Sequence, residues 1–303
     1  MVKTSLQSQL IRSSSGRCLL GRAAELYDSR ICTLANVRRQ AQGRRDANTS
    51  PLRFSVGIPH FNRGALIYRP LFNLLNHPAV EEIVIVDDGS SPAEFAALER
   101  TVAAIGPSRR IKIHRREQNM GALRTKLDCV EKASLEWVLV LDSDNTAFRH
   151  YLDRLASLES PSANVIYCAQ WAFPYFPFHE LEGLQIGFET AAELTATKVL
   201  RRVYIINDGN YLVHRESYFR SVSAIGRVAS DVADVMLVNY HWLCQGGFLE
   251  VLPATSYYHR VHKGSFWNLT QDESRKRVVD LFGRFEKRLK WDEEFACSLS
   301  RLS

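Results

Sequence analysis

Trp137-Val138-Leu139-Val140-Leu141-Asp142-Ser143-Asp144-Asn145 sets five consecutive apolar residues against four polar ones. The apolar run lacks the alternation of a half-exposed strand, so it reads as a strand covered on both faces, as in parallel sheets. The polar run then marks the strand's carboxyl end, where open α/β sheets take their ligands. Two carboxylates one residue apart in extended chain lie on the same side and can converge on one hard cation. The plainer reading is a capping turn ahead of the next helix.

The same unit recurs upstream. Phe54 to Ile58 reads as a strand that stops at Pro59-His60-Phe61-Asn62, and Glu82 to Val86 as a buried strand that stops at Asp87-Asp88-Gly89-Ser90. Helical spacing runs from Arg63 to Asn76 despite Pro70, and from Pro92, capped by Ser91, to Ile105. A strand at Ile111–His114 and a helix at Gly121–Ala133 precede the opening stretch; a helix through Leu158 and a strand at Val165–Ala172 follow it. This alternation predicts an α/β fold: a mixed, mainly parallel sheet flanked by helices, with three polar clusters at strand ends.

Downstream, aromatic residues crowd 171–178, and a helix is expected over Thr190–Arg201, a strand over Asn210–His214 and a helix over Asp231–Cys244 that Gly246-Gly247 ends. Extended chain is expected over Phe248–His259. Val278, Phe282, Phe285 and Leu289 give an amphipathic helix over Ser274–Leu289. Its Arg/Lys face reads as solvated, with a peripheral membrane contact as the sharper alternative.

Bulk properties narrow the class. The net charge of +6 lies wholly in residues 1–50, where nine Lys and Arg face three acids, so the rest is neutral. No recognition helix or aromatic platform accompanies it, which argues against a nucleic-acid partner. The leader reads as a basic, flexible extension; its composition only loosely fits a transit peptide. No apolar run approaches the roughly 20 residues of a membrane span. Six scattered cysteines form no CxxC pair, so neither a zinc site nor a disulfide framework is expected, and a reducing cytoplasm is the simplest location.

Asn119-Met120-Gly121 opens a helix carrying Arg124 and Lys126, and helix-start amides with nearby cations suit a phosphate or a pyrimidine edge. A cap with solvated cations explains the cluster equally well.

Taken in order, Ile58-Pro-His-Phe-Asn-Arg63, Val86-Asp-Asp-Gly-Ser90, Asn119-x-Gly121 with Arg124 and Lys126, and Leu141-Asp-Ser-Asp-Asn145 resemble the motifs of the inverting GT-A glycosyltransferases of family 2. The resemblance runs from Phe54 to about Ser265. It implies a catalytic domain over 51–265, with a donor half (51–150) and an acceptor half (151–265), followed by a helical segment over 266–303. It implies a nucleotide-sugar donor, UDP-linked by preference, a carbohydrate or other hydroxyl acceptor, and Mn²⁺ or Mg²⁺. Pro59, Phe61, Asn62, Asp87, Asp88, Asn119, Gly121, Arg124, Lys126, Asp142 and Ser143 would bind the donor. Asp144 would hold the metal, with His259 and His262 as further candidate ligands. Gly209-Asn210 to Arg215 resembles the strand that frames donor sugar and acceptor.

The family's Glu-Asp pair reads Ala233-Asp234 here, which makes Asp234 the candidate base and Asp231, one turn earlier, the alternative. Inverting transfer needs one carboxylate to take the acceptor proton as it attacks opposite the departing diphosphate. Two other functions are weighed: a nucleotidyltransferase that makes the nucleotide sugar, and a non-catalytic nucleotide-sugar binder suggested by Ala233.

Overall fold

Val80–Asp87 (β2) shows why the centre of the sheet is parallel. Its residues 83–86 are wholly buried, so it is covered on both faces. It lies between Phe54–His60 (β1) and Ile111–Arg115 (β3), parallel to both. Trp137–Val140 (β4) pairs with the other edge of β1, also parallel.

In this computed structural model the structure describes residues 50–106, 108–196, 203–223, 225, 234–261, 276, 279–285 and 287–288. The remaining strands are Thr146–Ala147 (β5), Val165–Phe173 (β6), Phe176–Pro177 (β7), Gln185–Ile186 (β8), Tyr211–His214 (β9) and Phe248–Tyr258 (β10). The sheet runs β3-β2-β1-β4-β9-β6-β10-β5, with β7 on β6 and β8 on β10. β9 is antiparallel to both β4 and β6, while β10 runs parallel to β6. The carboxyl ends of β1, β2, β4, β6 and β10 therefore share one edge with the start of β9.

Most of the helices follow the expected sites. Tyr68–Leu75 (α1) is shorter than the predicted 63–76, because residues 64–67 form turns; Pro70 falls in its first turn, where no backbone donor is needed. Pro92–Ile105 (α2) starts as expected: Ser91 Oγ accepts the Glu94 N–H at 3.3 Å and Pro92 stands at the first position. Ala122–Lys132 (α3) packs on β1 so closely that a side chain at Gly57 would meet Cys129 Cβ at 2.8 Å. Arg149–Ala156 (α4), Phe188–Ala196 (α5), Arg215–Val222 (α6, which the sequence reading did not anticipate) and Asp234–Cys244 (α7) follow.

One contiguous apolar core spans both halves of the sheet. Residues 279–285 are helical, and Phe285 is fully buried between Phe188 and Tyr240 at ring separations of 5.4 and 4.7 Å. Part of the predicted amphipathic helix is thus a core element; Val278 and Leu289 lie outside the described residues. Among the described residues no helix is long and apolar enough to cross a membrane.

Candidate active site

A cavity of about 450 Å³ opens at the shared strand edge. Its first wall comes from the loops after β1, β2 and β4. Asp88 sits at the end of β2, and both its oxygens are engaged. Oδ1 accepts the Met120 N–H at 2.9 Å and an Arg116 N–H at 2.6 Å, and Oδ2 accepts the Gly121 N–H at 2.9 Å. Asp88 thereby fixes the start of α3, where the positive end of the helix dipole favours an anion. Gly89 permits this approach: its φ is +72°, and a Cβ would meet the Gln118 backbone at 2.7 Å.

Asp87 lies behind this wall, fully buried. Burial pushes its pKa up, but hydrogen bonds from His60 Nδ1 (2.7 Å) and the Ser90 hydroxyl (2.5 Å) outweigh that and hold the carboxyl below its usual range. Asn62 also serves the framework. Its N–H donates to Ser90 Oγ at 2.8 Å, and its Oδ1 accepts the Ser91 N–H at 2.9 Å. Neither residue lines the cavity, whereas Pro59, Phe61, Asn119 and Gly121 do. Arg124 is not brought to the cavity; it pairs with Asp128 at 2.8 Å and Glu131 at 3.8 Å along α3.

Asp142 and Asp144 both line the cavity, while Ser143 is buried beneath it. The Asp142 N–H donates to Asn210 Oδ1 at 3.0 Å, which ties the end of β4 to the start of β9. Asp144 is nearly buried and receives Arg63 Nη1 at 3.1 Å. Arg260 closes the turn from β10, its N–H donating to Asn145 Oδ1 at 3.0 Å.

The opposite wall carries Asp234, at the start of α7. Lys126 Nζ lies 2.9 Å from Asp234 Oδ2 and 3.7 Å from Asp142 Oδ1. Burial alone would lower the Lys126 pKa, but the two carboxylates raise it above the ordinary lysine value. Lys126 is thus the ammonium that joins the two acidic walls, a role its sequence context did not show. Asp231 and His262 lie outside the described residues.

His259 follows β10 and lines the cavity beside Phe176, at a ring separation of 5.7 Å. Burial depresses its pKa, with Asp144 and Asp142 opposing, which favours the uncharged ring; its Nδ1 has no hydrogen-bond partner among the described residues. Among the described residues no three His, Cys, Asp or Glu side chains are already gathered at metal-binding distance.

Asp208, Asn210 and Tyr257 form a buried network; the sequence reading set Asn210 on the strand that frames donor sugar and acceptor but gave Asp208 and Tyr257 no role. Tyr257 donates to Asp208 Oδ1 at 2.9 Å, the Asn210 N–H donates to the same oxygen at 3.1 Å, and Asn210 Nδ2 lies 3.2 Å from the Tyr257 hydroxyl. Burial drives the Asp208 pKa up to about 6 against these hydrogen bonds, and Asp142 adds to the rise. The available signal was Asn207-Asp208-Gly209-Asn210, a polar cluster at the beginning of a strand rather than at its end.

Residues 55–217 match the sequence profile of glycosyl transferase family 2. A segment of 110 residues is 30% identical to a Mycoplasma pneumoniae protein described as an uncharacterized glycosyltransferase MG060 homolog, covering 35% of this chain and 36% of that protein. GalNAc-T7, solved with UDP, GalNAc and Mn²⁺, superposes with a TM-score of 0.53 at 15% identity, over 71% of this chain and 46% of that one. Residues 1–349 of S. aureus TarS superpose at 0.51 and 18% identity, over 73% and 64%. The chain spans less than two thirds of the length of each of these relatives. The structural likenesses establish the GT-A fold, and the profile match over more than half the sequence establishes that this chain belongs to glycosyl transferase family 2.

Proposed function

We propose that this chain transfers a sugar from a UDP-sugar to a hydroxyl acceptor, with inversion and with Mn²⁺ or Mg²⁺ at the diphosphate. The observation that carries the reading is one cavity holding Asp142 and Asp144 on one wall and Asp234 on the other, bridged by Lys126. Residues 51–150 carry the nucleotide half of the site, and cavity residues beyond 150 complete it around the metal, the sugar and the acceptor. The nucleotide sits against Pro59, Asp88 and the Asn119–Gly121 helix start, and the Phe61 ring, 41% exposed, offers a stacking face for the base. GalNAc-T7 and residues 1–349 of S. aureus TarS, which has also been solved in complex with UDP, support that choice of nucleotide.

Asp144 and His259 suit a divalent cation: one is a hard carboxylate, the other a neutral imidazole with an unused buried nitrogen. Two protein ligands suffice where diphosphate oxygens and water complete the shell. When bound, the cation neutralises charge on the departing diphosphate. Asp234 takes the proton as the acceptor oxygen attacks the anomeric carbon. The bond from that carbon to the diphosphate oxygen breaks, and its electron pair leaves with the nucleoside diphosphate.

The test has two parts. UDP should raise the melting temperature more than GDP or ADP, and only with Mn²⁺ or Mg²⁺ present. Asp234→Asn should keep that binding and lose about 10²-fold or more in donor turnover. Pyrophosphate release from UTP and a sugar phosphate would instead mark a nucleotidyltransferase. UDP-sugar binding with no turnover in the wild type would mark a non-catalytic binder.

A further inference from the structure

Asp208 is 4% exposed and lines the cavity, yet only one of its carboxyl oxygens is used. Oδ1 accepts from Tyr257 and from the Asn210 N–H; Oδ2 is buried without a hydrogen-bond partner. An unsatisfied buried carboxylate oxygen is costly, and natural structures keep one mainly where something else completes it. The surroundings indicate what that is. The 3-10 turn Tyr204–Asn207 leads directly into Asp208, and Tyr204 packs on Phe176 at a ring separation of 4.6 Å. Both rings line the same cavity. A cavity lined by this carboxylate and by two aromatic rings matches a sugar ring, which offers hydroxyl donors at its edge and C–H groups on its face.

The position also selects which sugar. Asn210 links Asp208 to the nucleotide side: its Nδ2 lies 3.2 Å from Tyr257, which donates to Asp208, and 3.4 Å from Asp142 Oδ2. We propose that Asp208 Oδ2 accepts a hydroxyl of the sugar being transferred, with Phe176 and Tyr204 against its apolar face. Asp208 would then be a specificity-determining residue for the donor. The proposal rests on the nucleotide-sugar reading above.

Asp208→Asn tests it with little change in shape: the amide oxygen still accepts from Tyr257 and Asn210, while a donor replaces the unpaired acceptor. With full-length protein and Mn²⁺, UDP is compared with UDP-glucose, UDP-galactose, UDP-N-acetylglucosamine and UDP-N-acetylgalactosamine by calorimetry. For the wild type, at least one UDP-sugar should bind more tightly than UDP. In Asp208→Asn that advantage should shrink about tenfold or more while UDP affinity stays within about twofold. An undiminished advantage overturns the proposal, as does a parallel loss of UDP, which would show a structural role only. A loss confined to acceptor KM assigns Asp208 to the acceptor and also overturns it. Failure of the wild type to bind UDP or any other nucleoside diphosphate strikes the parent reading instead, and this proposal falls with it. If Asp208→Asn does not fold, deoxy analogues of the preferred donor on the wild type decide: removal of one hydroxyl should cost about tenfold, and no loss at any position overturns the proposal.

Discussion

Lys126 Nζ and Asp234 Oδ2 meet at 2.9 Å across 108 residues of sequence, joining the helix whose start Asp88 fixes to the helix that carries the candidate base. Asp142 stands 3.7 Å from the same ammonium, so one cation serves two acids. Lys126→Met removes it and leaves two facing carboxylates. A loss of roughly 2–4 kcal/mol is expected, toward the lower end because both acids keep some contact with water. Adding Asp234→Asn should return part of it, since one uncompensated charge is gone. Urea denaturation of both single variants and the double variant measures the coupling; simple additivity would show that the pair contributes nothing to the fold.

Arg63 competes for Asp144. A divalent cation at that carboxylate must share it with, or displace, a guanidinium 3.1 Å away. Arg63→Ala should therefore tighten Mn²⁺ binding in nucleotide-free protein about threefold or more, and Asp144→Asn should abolish it. Calorimetry with Mn²⁺ alone reads both. Equal affinity in wild type and Arg63→Ala would mean that the guanidinium does not oppose the metal.

Asp208 makes stability fall as pH rises. Its carboxyl titrates at about 6 when folded against 3.8 as the reference, so the folded state binds more protons in that window. The unfolded chain gains by ionising first, and stability declines from about pH 4 to just above pH 6, by on the order of 3 kcal/mol. Asp208→Asn has no proton to lose and should flatten this part of the profile. Denaturation midpoints at pH 4.5 and 7.5 for both proteins test the sign; a wild-type/variant difference that does not change with pH would refute it.

Gly209 sets the distance between the start of β9 and α7. A Cβ there would meet Val235 Cγ2 at 2.8 Å and Lys126 Nζ at 3.5 Å. Gly209→Ala should displace the first turn of α7, costing roughly 1–3 kcal/mol, with turnover falling further than stability alone explains because Asp234 moves with Val235. Parallel melting and turnover measurements on the variant would show it; loss of turnover only in proportion to unfolded protein would deny the effect on the base.

The strand-end clusters were readable because parallel strands announce themselves as unbroken apolar runs, as at Ile83–Val86 and Trp137–Leu141. Helix α2 was equally open, since Ser91-Pro92 is a local signal. Asp208 stayed hidden as a cavity residue for a topological reason. β9 runs against its neighbours, so its beginning, not its end, lies at the ligand edge. The role of Lys126 was hidden differently: spacing along α3 showed a cation, but its partner Asp234 is contributed by another helix. Arg124, two residues earlier, looks the same in sequence and turns toward its own helix's acids.

The placement of β9 also shapes how the protein must be made. β4 and β6 do not pair with each other; each bonds to β9. A ribosome that has released residues 54–173 has produced five of the sheet's larger strands while leaving two apolar borders without partners. Residues 211–214 must arrive before either is closed. Until then the nascent chain presents open backbone edges of the kind that recruit other strands. A truncation ahead of residue 211 should accordingly give an aggregating product, not a smaller folded domain.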